Sequence, residues 1–134
     1  MLKLAHIALS VSDLQNSISF YEKNFGFKCD DILEDKTLKF KIALLKRDSI
    51  ILEFFQFQEF NPLPEYRKDI GSDIKTLGVK HFAFEVNNIE ETYKRLNKSG
   101  VNFASRIQSL DSGMKYFFVR DPDGILVEIT QEEE

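Results

Sequence analysis

Two histidines and two glutamates that recur at one fixed spacing are the residues of this sequence best suited to chemistry. His6 and His81 are the only histidines in the chain, and they are 75 positions apart. Glu53 and Glu128 are also 75 positions apart, and each interrupts an apolar run, IILEFF in the first case and ILVEIT in the second. Because the four side chains repeat in register, we treat them as one candidate set.

Imidazole and carboxylate groups together favour a divalent first-row metal ion. Zinc, nickel, cobalt, manganese and iron accept mixed nitrogen and oxygen ligands, whereas calcium prefers oxygen alone. Two carboxylates brought together in a partly buried site would also need a cation to balance their charge. An octahedral ion held by four side chains would keep two positions open, which favours catalysis; a closed tetrahedral structural site is the alternative.

The elements that must position these residues repeat with the same offset. Each half is predicted to form a strand, a helix and three further strands, so that a histidine stands at the start of the first strand and a glutamate lies in the last. Since side chains alternate along a strand, each half should have an apolar face for its helix and another face bearing one His and one Glu. The predicted later strands cover 27–34, 37–46, 49–57, 103–108, 114–120 and 125–131.

The predicted helices begin at similar capping signals. Ser12 with Gln15, and Asn88 with Glu91, have the three-residue spacing of a capping box. Each helix then carries one apolar stripe, which should pack on its own sheet. The stripe residues are Leu14, Ile18, Tyr21 and Phe25 in the first helix, and Ile89, Tyr93 and Leu96 in the second.

The length and composition predict one globular domain over residues 1–134, with a module at about 1–58, a connecting segment at about 59–78 and a second module at about 79–134. The connecting segment is polar and rich in Pro and Gly; a short helix near 66–70 is possible within it, and both a plain linker and a lid remain open. A net charge of −4 with scattered basic residues argues against a nucleic-acid-binding surface.

The absence of a long apolar run or leader predicts a cytoplasmic protein without membrane contact. Cys29, the single cysteine, excludes an internal disulfide and is expected to be a packing residue.

The paired modules, the four in-register ligands, the opening HIALSVSDLQNSISFYEKNFGF and the segment FFVRDPDGILVEI resemble the vicinal oxygen chelate superfamily, in particular its glyoxalase I branch. The resemblance covers nearly the whole chain. It implies an α+β fold of two βαβββ modules, paired edge to edge into a curved mixed sheet with a metal-containing groove. It also implies a homodimer, in which the groove is completed within one chain or between two chains.

The resemblance assigns His6, Glu53, His81 and Glu128 as ligands of one divalent metal, with zinc and nickel as the leading candidates. It further implies the isomerisation of a thiol–methylglyoxal hemithioacetal, a small-molecule substrate, to a 2-hydroxyacyl thioester through an enediolate. Glu128 is then the expected base, with Glu53 as a second catalytic carboxylate. Arg67, Arg106, Lys115 and Arg120 are candidates to hold an anionic substrate tail.

This chain also departs from the glutathione-dependent members. They usually carry an arginine at the position of Ser10 and an Asn-containing segment after the first glutamate, where this chain has Phe54, Phe55 and Gln56. Three alternatives within the superfamily stay open. Methylmalonyl-CoA epimerases typically have glutamine at position 53, thiol transferases and dioxygenases need only two His and one Glu, and drug-binding resistance proteins generally lack the ligand quartet.

Overall fold

The structure, a computed structural model, describes residues 1–133 and has the α+β architecture that the sequence predicts. The chain divides into two compact units, Met1–Pro62 and a second unit that begins at Leu63. Each unit contains its own mixed sheet; the first has the predicted βαβββ order, and in the second the first strand after the helix is divided into two. None of the helices in the described residues is long and apolar enough to cross a bilayer.

In the first unit, one helix accompanies a four-stranded sheet. The order along the sheet is β1-β4-β3-β2, in which β1 and β4 are parallel and the other neighbours are antiparallel. The first and last strands of the module are therefore adjacent, although 39 residues separate Ser10 from Ile50 in sequence. The elements are β1 (Ile7–Ser10), α1 (Leu14–Phe25), β2 (Lys28–Asp35), β3 (Phe40–Arg47) and β4 (Ile50–Phe57).

The second unit repeats this plan with shorter strands. Its sheet has the order β5-β9-β8-β6, with β5 and β9 parallel, and β7 pairs with β8. A 3₁₀ helix at Glu65–Lys68 precedes the first α-helix of the unit, so the predicted short helix of the connecting segment is present. The elements are α2 (Ile70–Asp73), β5 (Phe82–Glu85), α3 (Ile89–Lys98), β6 (Asn102–Phe103), β7 (Gln108–Ser109), β8 (Lys115–Arg120) and β9 (Leu126–Gln131).

The expected strand at 103–108 is wrong in one respect, because the chain forms two separate two-residue strands there. Ala104 and Ser105 both donate their backbone N–H groups to the same carbonyl, that of Phe118. Two consecutive residues then face one partner residue, as in a β-bulge, and the ladder is interrupted. Pairing resumes at β7.

The apolar stripe of each helix forms the core of its unit. In the first unit Tyr21 and Phe54 are both fully buried, and their ring centroids lie 5.2 Å apart. Phe54 alternates with Glu53 along β4, so the buried and half-exposed faces of this strand are the two faces predicted from the sequence. The second unit buries the corresponding residues Ile89, Leu96 and Ile129.

Helix α1 is capped one residue later than the sequence suggested. Asp13, not Ser12, is the N-cap, and its Oδ1 accepts a hydrogen bond from the Asn16 N–H at 2.9 Å. Val11 donates its N–H to Phe55 O at 2.8 Å and Val86 donates to Thr130 O at 2.8 Å, so in both units the strand pairing extends past the first strand and the cap follows two residues later. Helix α3 begins as predicted, with Asn88 accepting from Glu91 N–H.

A second cap, which the sequence reasoning missed, joins each helix to the last strand of its unit. Gln56 Oε1 accepts from Leu14 N–H at 2.6 Å, and Gln131 Oε1 accepts from Ile89 N–H at 2.7 Å. Both glutamines lie 75 positions apart, so the repeat offset contained the signal. Each satisfies a donor that a helix N-terminus leaves without an intrahelical partner.

We predict that Gln131→Met lowers the free energy of unfolding by about 1 kcal/mol, because the partly buried Ile89 N–H loses its acceptor. Gln131→Glu keeps an acceptor at the same position beside a helix N-terminus and should retain most of that stability. Urea titration of both variants provides the comparison. Equal losses for methionine and glutamate would show that the cap contributes nothing.

Ser17 supplies a second test of the core. Its hydroxyl, in α1, is fully buried and is the buried side-chain atom for which the described part of the chain offers no hydrogen-bond partner. An unsatisfied buried hydroxyl costs about 1–3 kcal/mol, so Ser17→Ala should stabilise the protein by about 1 kcal/mol more than Ser19→Ala. Ser19 is exposed on the same helix and controls for helix propensity. A smaller gain at Ser17 than at Ser19, measured by urea unfolding, would contradict this account.

Candidate metal and catalytic site

In the first unit, strand pairing places His6 and Glu53 on one face of the sheet. Ala8 of β1 is the register partner of Glu53 in β4. His6 precedes Ala8 by two positions, and alternation continued back from β1 would place it on the same side. Glu53 is half-buried at the centre of its strand, whereas His6 stands just before β1 and is exposed. The register thus places Ala8 on the Glu53 face, and the sharing of that face by His6 stays a prediction.

The second unit repeats this register and brings its pair into contact. Ala83 of β5 pairs with Glu128 of β9, and His81 again precedes the alanine by two positions. His81 Nε2 lies 3.0 Å from Glu128 Oε2, within hydrogen-bonding distance, and the two side chains are 26% and 15% exposed. The nitrogen and oxygen atoms suited to a metal therefore converge on one point at the sheet surface.

Phe118 supports this second pair from the neighbouring strand. It is the cross-strand partner of Glu128, and its ring meets the His81 imidazole edge to face, with centroids 4.8 Å apart and planes at 88°. Phe118 is itself buried. The sequence reasoning did not single out Phe118, because an apolar residue in an apolar strand carries no distinguishing signal.

The donor types fit a first-row metal in both units, since each half supplies one imidazole and one carboxylate. Within residues 1–133, however, no group of three or more His, Cys, Asp or Glu side chains is gathered closely enough to hold an ion. The structure thus brings together His81 and Glu128. The four-ligand set stays a prediction.

The face of the first unit that carries Glu53 is apolar next to this carboxylate, although Lys46 and Asp31, the register partners of Ile51 and Leu44, lie on the same face. Leu44 and Phe55 flank Glu53 through strand pairing and alternation, and Phe40 stacks on Phe57 with ring centroids 5.2 Å apart. Phe57 remains 43% exposed, whereas Leu52 and Phe54 on the opposite face are fully buried. The apolar residues on the Glu53 side are Leu33, Phe40, Ile42, Leu44, Ile51, Phe55 and Phe57.

The three residues after Glu53, which set this chain apart from glutathione-dependent relatives, have different roles. Phe54 belongs to the core, Gln56 caps α1, and Phe55 alone lies on the Glu53 face. Ser10 of β1 is the register partner of Phe55 and is exposed on that same face. An arginine is therefore replaced by a hydroxyl beside an aromatic ring, which leaves this part of the face without a cation.

The cationic residues proposed to hold a substrate tail have partners within the protein. Arg67 contacts Asp73 and the Val79 carbonyl. Lys115 Nζ lies 2.7 Å from Glu90 Oε1, and this hydrogen bond lowers the pKa of the Glu90 carboxyl.

Arg120, Lys115 and Arg106 lie in three different settings. Arg120 donates to Lys68 O, Asn102 Oδ1 and Phe103 O at 2.8–3.1 Å, so its guanidinium is engaged in the unit's own loops. Lys115 pairs with Gln131, which places it on the side of the sheet away from Glu128. Arg106 is exposed. The substrate-binding roles of these residues stay predictions, and we carry none of them into the proposed site.

The chain is similar to known proteins over nearly its whole length. The family model of the Glyoxalase/Bleomycin resistance protein/Dioxygenase superfamily matches residues 3–129. A lactoylglutathione lyase of Escherichia coli O157:H7 is 28% identical over 136 residues, which cover 99% of this chain and 95% of the relative. A probable trivalent organoarsenical cleaving enzyme of Bacillus subtilis is 29% identical over 92% of this chain and 75% of its own length. The crystal structure of a glyoxalase family protein from Enterococcus faecalis superimposes with a TM-score of 0.82 at 29% identity, covering 96% of each chain.

Proposed function

The chain belongs to the Glyoxalase/Bleomycin resistance protein/Dioxygenase superfamily, and we propose that within it this protein is a metal-dependent enzyme of the glyoxalase I type. The proposed reaction converts the hemithioacetal of a thiol and methylglyoxal into a 2-hydroxyacyl thioester. In this reaction a proton leaves the carbon that bears sulfur and arrives at the neighbouring carbon. No atom of the hemithioacetal is lost, so the proposed reaction is an isomerisation.

The observation that supports this proposal is the common register of the two ligand pairs. In both units a histidine stands two residues before an alanine whose partner across a parallel pair of strands is the glutamate. The fold itself does not need a His–Glu pair in either unit, because the helix packs on the opposite face of each sheet. The Nε2–Oε2 distance of 3.0 Å between His81 and Glu128 shows that this register brings the donor atoms together.

The proposed ligands are His6, Glu53, His81 and Glu128, and the proposed ion is zinc or nickel. When bound, such an ion would supply Lewis-acid polarisation of substrate oxygens, which acidifies the C–H bond beside a carbonyl. Neutral imidazoles and ionised carboxylates are the forms that serve as ligands, so binding should release protons wherever the free side chains hold them.

Glu128 is the proposed general base. Its carboxylate lies at the centre of β9, only 15% exposed, and His81 stands within hydrogen-bonding distance of one of its oxygens. A carboxylate held in this way can accept the proton at one substrate carbon and return it to the adjacent carbon without exchange through bulk water. Glu53, on the apolar face of the first unit, is the second carboxylate available for the same transfer.

The side chains next to Glu53 indicate which kind of thiol the proposed hemithioacetal contains. Leu44 and Phe55 lie next to this carboxylate, Ser10 beside Phe55 supplies only a hydroxyl, and Lys46 on the same face is paired with Asp30. Apolar surface favours contact with carbon and disfavours the burial of a carboxylate without a partner. The substrate should therefore present apolar groups to the first unit, in contrast to the charged termini of glutathione.

Cleavage of trivalent organoarsenicals, the activity named for the Bacillus subtilis relative, is the second candidate. Trivalent arsenic is a soft centre, and soft centres are held by thiolates. This chain offers one cysteine, Cys29, and burial raises the pKa of its thiol. Because a single thiol of raised pKa is a poor arsenic ligand, we place the isomerase ahead.

We predict that protein purified without a histidine tag and reconstituted with zinc or nickel retains about one ion per chain, the content that one four-ligand site would hold. His81→Ala should lose this ion, since it removes one of the two donors that the structure brings into contact. Cys29→Ser should retain it and would exclude the thiol as an adventitious ligand. Elemental analysis after gel filtration measures all three, and a wild-type protein that stays free of metal would end the metalloenzyme proposal.

The role of Glu128 is tested by Glu128→Gln, which keeps an oxygen ligand but removes the base. We expect kcat to fall by about 10³-fold, as for other general bases, with a much smaller change in metal affinity. Glu85→Gln is the matched control, because Glu85 is exposed on the same sheet face in β5 and should have wild-type activity.

The assay should use hemithioacetals of glutathione, bacillithiol and coenzyme A, with methylmalonyl-CoA and a trivalent organoarsenical as the competing substrates. Full activity of Glu128→Gln would refute its role. Turnover of the arsenical alone would favour the second candidate.

A further inference from the structure

The connecting segment before the second module contains a buried carboxylate, Asp73, at the end of α2. Asp73 is 1% exposed, although it lies in a stretch that the sequence marks as polar loop. Its Oδ1 accepts from Arg67 Nε at 3.2 Å and from Lys80 Nζ at 3.3 Å. A buried carboxylate without a partner would be strongly destabilising, so the two cations are required by the position of Asp73.

The same two cations also hold the backbone of the segment. Lys80 Nζ donates to the Asp73 carbonyl at 2.9 Å, and Arg67 Nη2 donates to the Val79 carbonyl at 3.2 Å. Val79 and Lys80 are the two residues immediately before His81. One is fixed through its main chain and the other through its side chain, which is only 15% exposed.

His81 needs such support because it lies outside the sheet ladder. Strand β5 begins at Phe82, and the pairing with β9 starts there, so the strand hydrogen bonds that hold Ala83 do not hold His81. Its ring rests against Phe118, but this contact leaves the path of the backbone undetermined. The cluster of Arg67, Asp73 and Lys80 supplies the missing constraint from the preceding side.

A third attachment ties the segment to the strand that carries Phe118. Arg120, two residues after Phe118 in β8, donates through Nε to the Lys68 carbonyl at 2.8 Å. The segment is therefore attached both to the residues that lead into His81 and to the strand against which its ring packs.

We propose that Asp73 is a positioning residue for His81, and that the segment of residues 65–80 is a brace for the second ligand pair. The inference rests on the proposed function in assigning a use to His81, but the bracing itself is a property of the protein without metal. Removing the negative charge of Asp73 would leave Arg67 and Lys80 without their shared acceptor. The backbone before His81 would then be free to move while the sheet stays intact.

The experiment compares Asp73→Asn with Asp69→Asn. Asp69 belongs to the same segment, where it caps α2 by accepting from Ser72, and its side chain has no contact with the Arg67–Asp73–Lys80 cluster among those described. It therefore controls for the loss of a carboxylate from the same segment, since asparagine still caps the helix. Lys80→Met is a second route to the same loss, for use if Asp73→Asn fails to fold. Circular dichroism and thermal melting establish that each variant is folded.

The first readout is the imidazole ¹H–¹⁵N spectrum of the metal-free protein, which contains only two histidines. His6→Gln assigns the two rings. We expect Asp73→Asn and Lys80→Met to shift or broaden the His81 signals and to leave His6 unchanged, whereas Asp69→Asn changes neither ring. Unchanged His81 signals in a folded Asp73→Asn variant would overturn the proposal.

The second readout is Co²⁺ binding, followed by its visible absorption. Loss of a residue that orients a metal ligand typically weakens metal binding by about 10–100-fold, and we expect this range for Asp73→Asn with a changed spectrum, against wild-type behaviour for Asp69→Asn. A wild-type protein that binds no Co²⁺ would contradict the proposed function. It would leave the brace proposal standing, because the imidazole spectrum tests the brace without metal. Wild-type affinity and spectrum in Asp73→Asn would reduce the cluster to a stabilising contact.

Discussion

The parallel pairing of the first and last strands in each unit is the constraint on which the arrangement depends. Because Ala8 faces Glu53 and Ala83 faces Glu128, the period of two along a strand assigns every neighbouring side chain to one face. Phe54 and Ile129 fall on the buried face by the same rule. Burial of these apolar side chains therefore determines where the carboxylates point, and no separate interaction is needed to expose them.

The two units use this shared plan differently. In the first, Glu53 stands among apolar residues and His6 is exposed at the edge of the sheet. In the second, the histidine and glutamate are already in contact, Phe118 packs on the imidazole, and the Arg67–Asp73–Lys80 cluster holds the residues before His81. The second unit thus carries a preformed donor pair, whereas the first carries a carboxylate next to apolar side chains.

Features that repeat or alternate could be predicted from the sequence, and features that depend on isolated contacts could not. The 75-residue offset and the strand alternation were enough for the two modules, the helix stripes and the approach of His81 to Glu128. Asp73 gave no such signal, because its partners at 67 and 80 follow no period and a carboxylate in a polar segment reads as solvated. The division of the strand after α3 depends on one carbonyl, that of Phe118, which accepts two N–H groups. The Asp13 cap, by contrast, was predictable from the repeat, because Asp13 lies 75 positions before the Asn88 cap.

The glutamines that cap the helices have a consequence for folding fidelity. In each unit the glutamine follows the glutamate by three positions, so the two side chains leave the last strand on opposite faces, the glutamate outward and the glutamine toward the helix. A slip of this strand by one residue would turn the carboxylate into the core and carry the amide away from the helix at once. Misregistered chains would thus be less stable and would also lack the outward-facing carboxylate. Selection for a stable fold consequently also selects the strand register that points the glutamates outward.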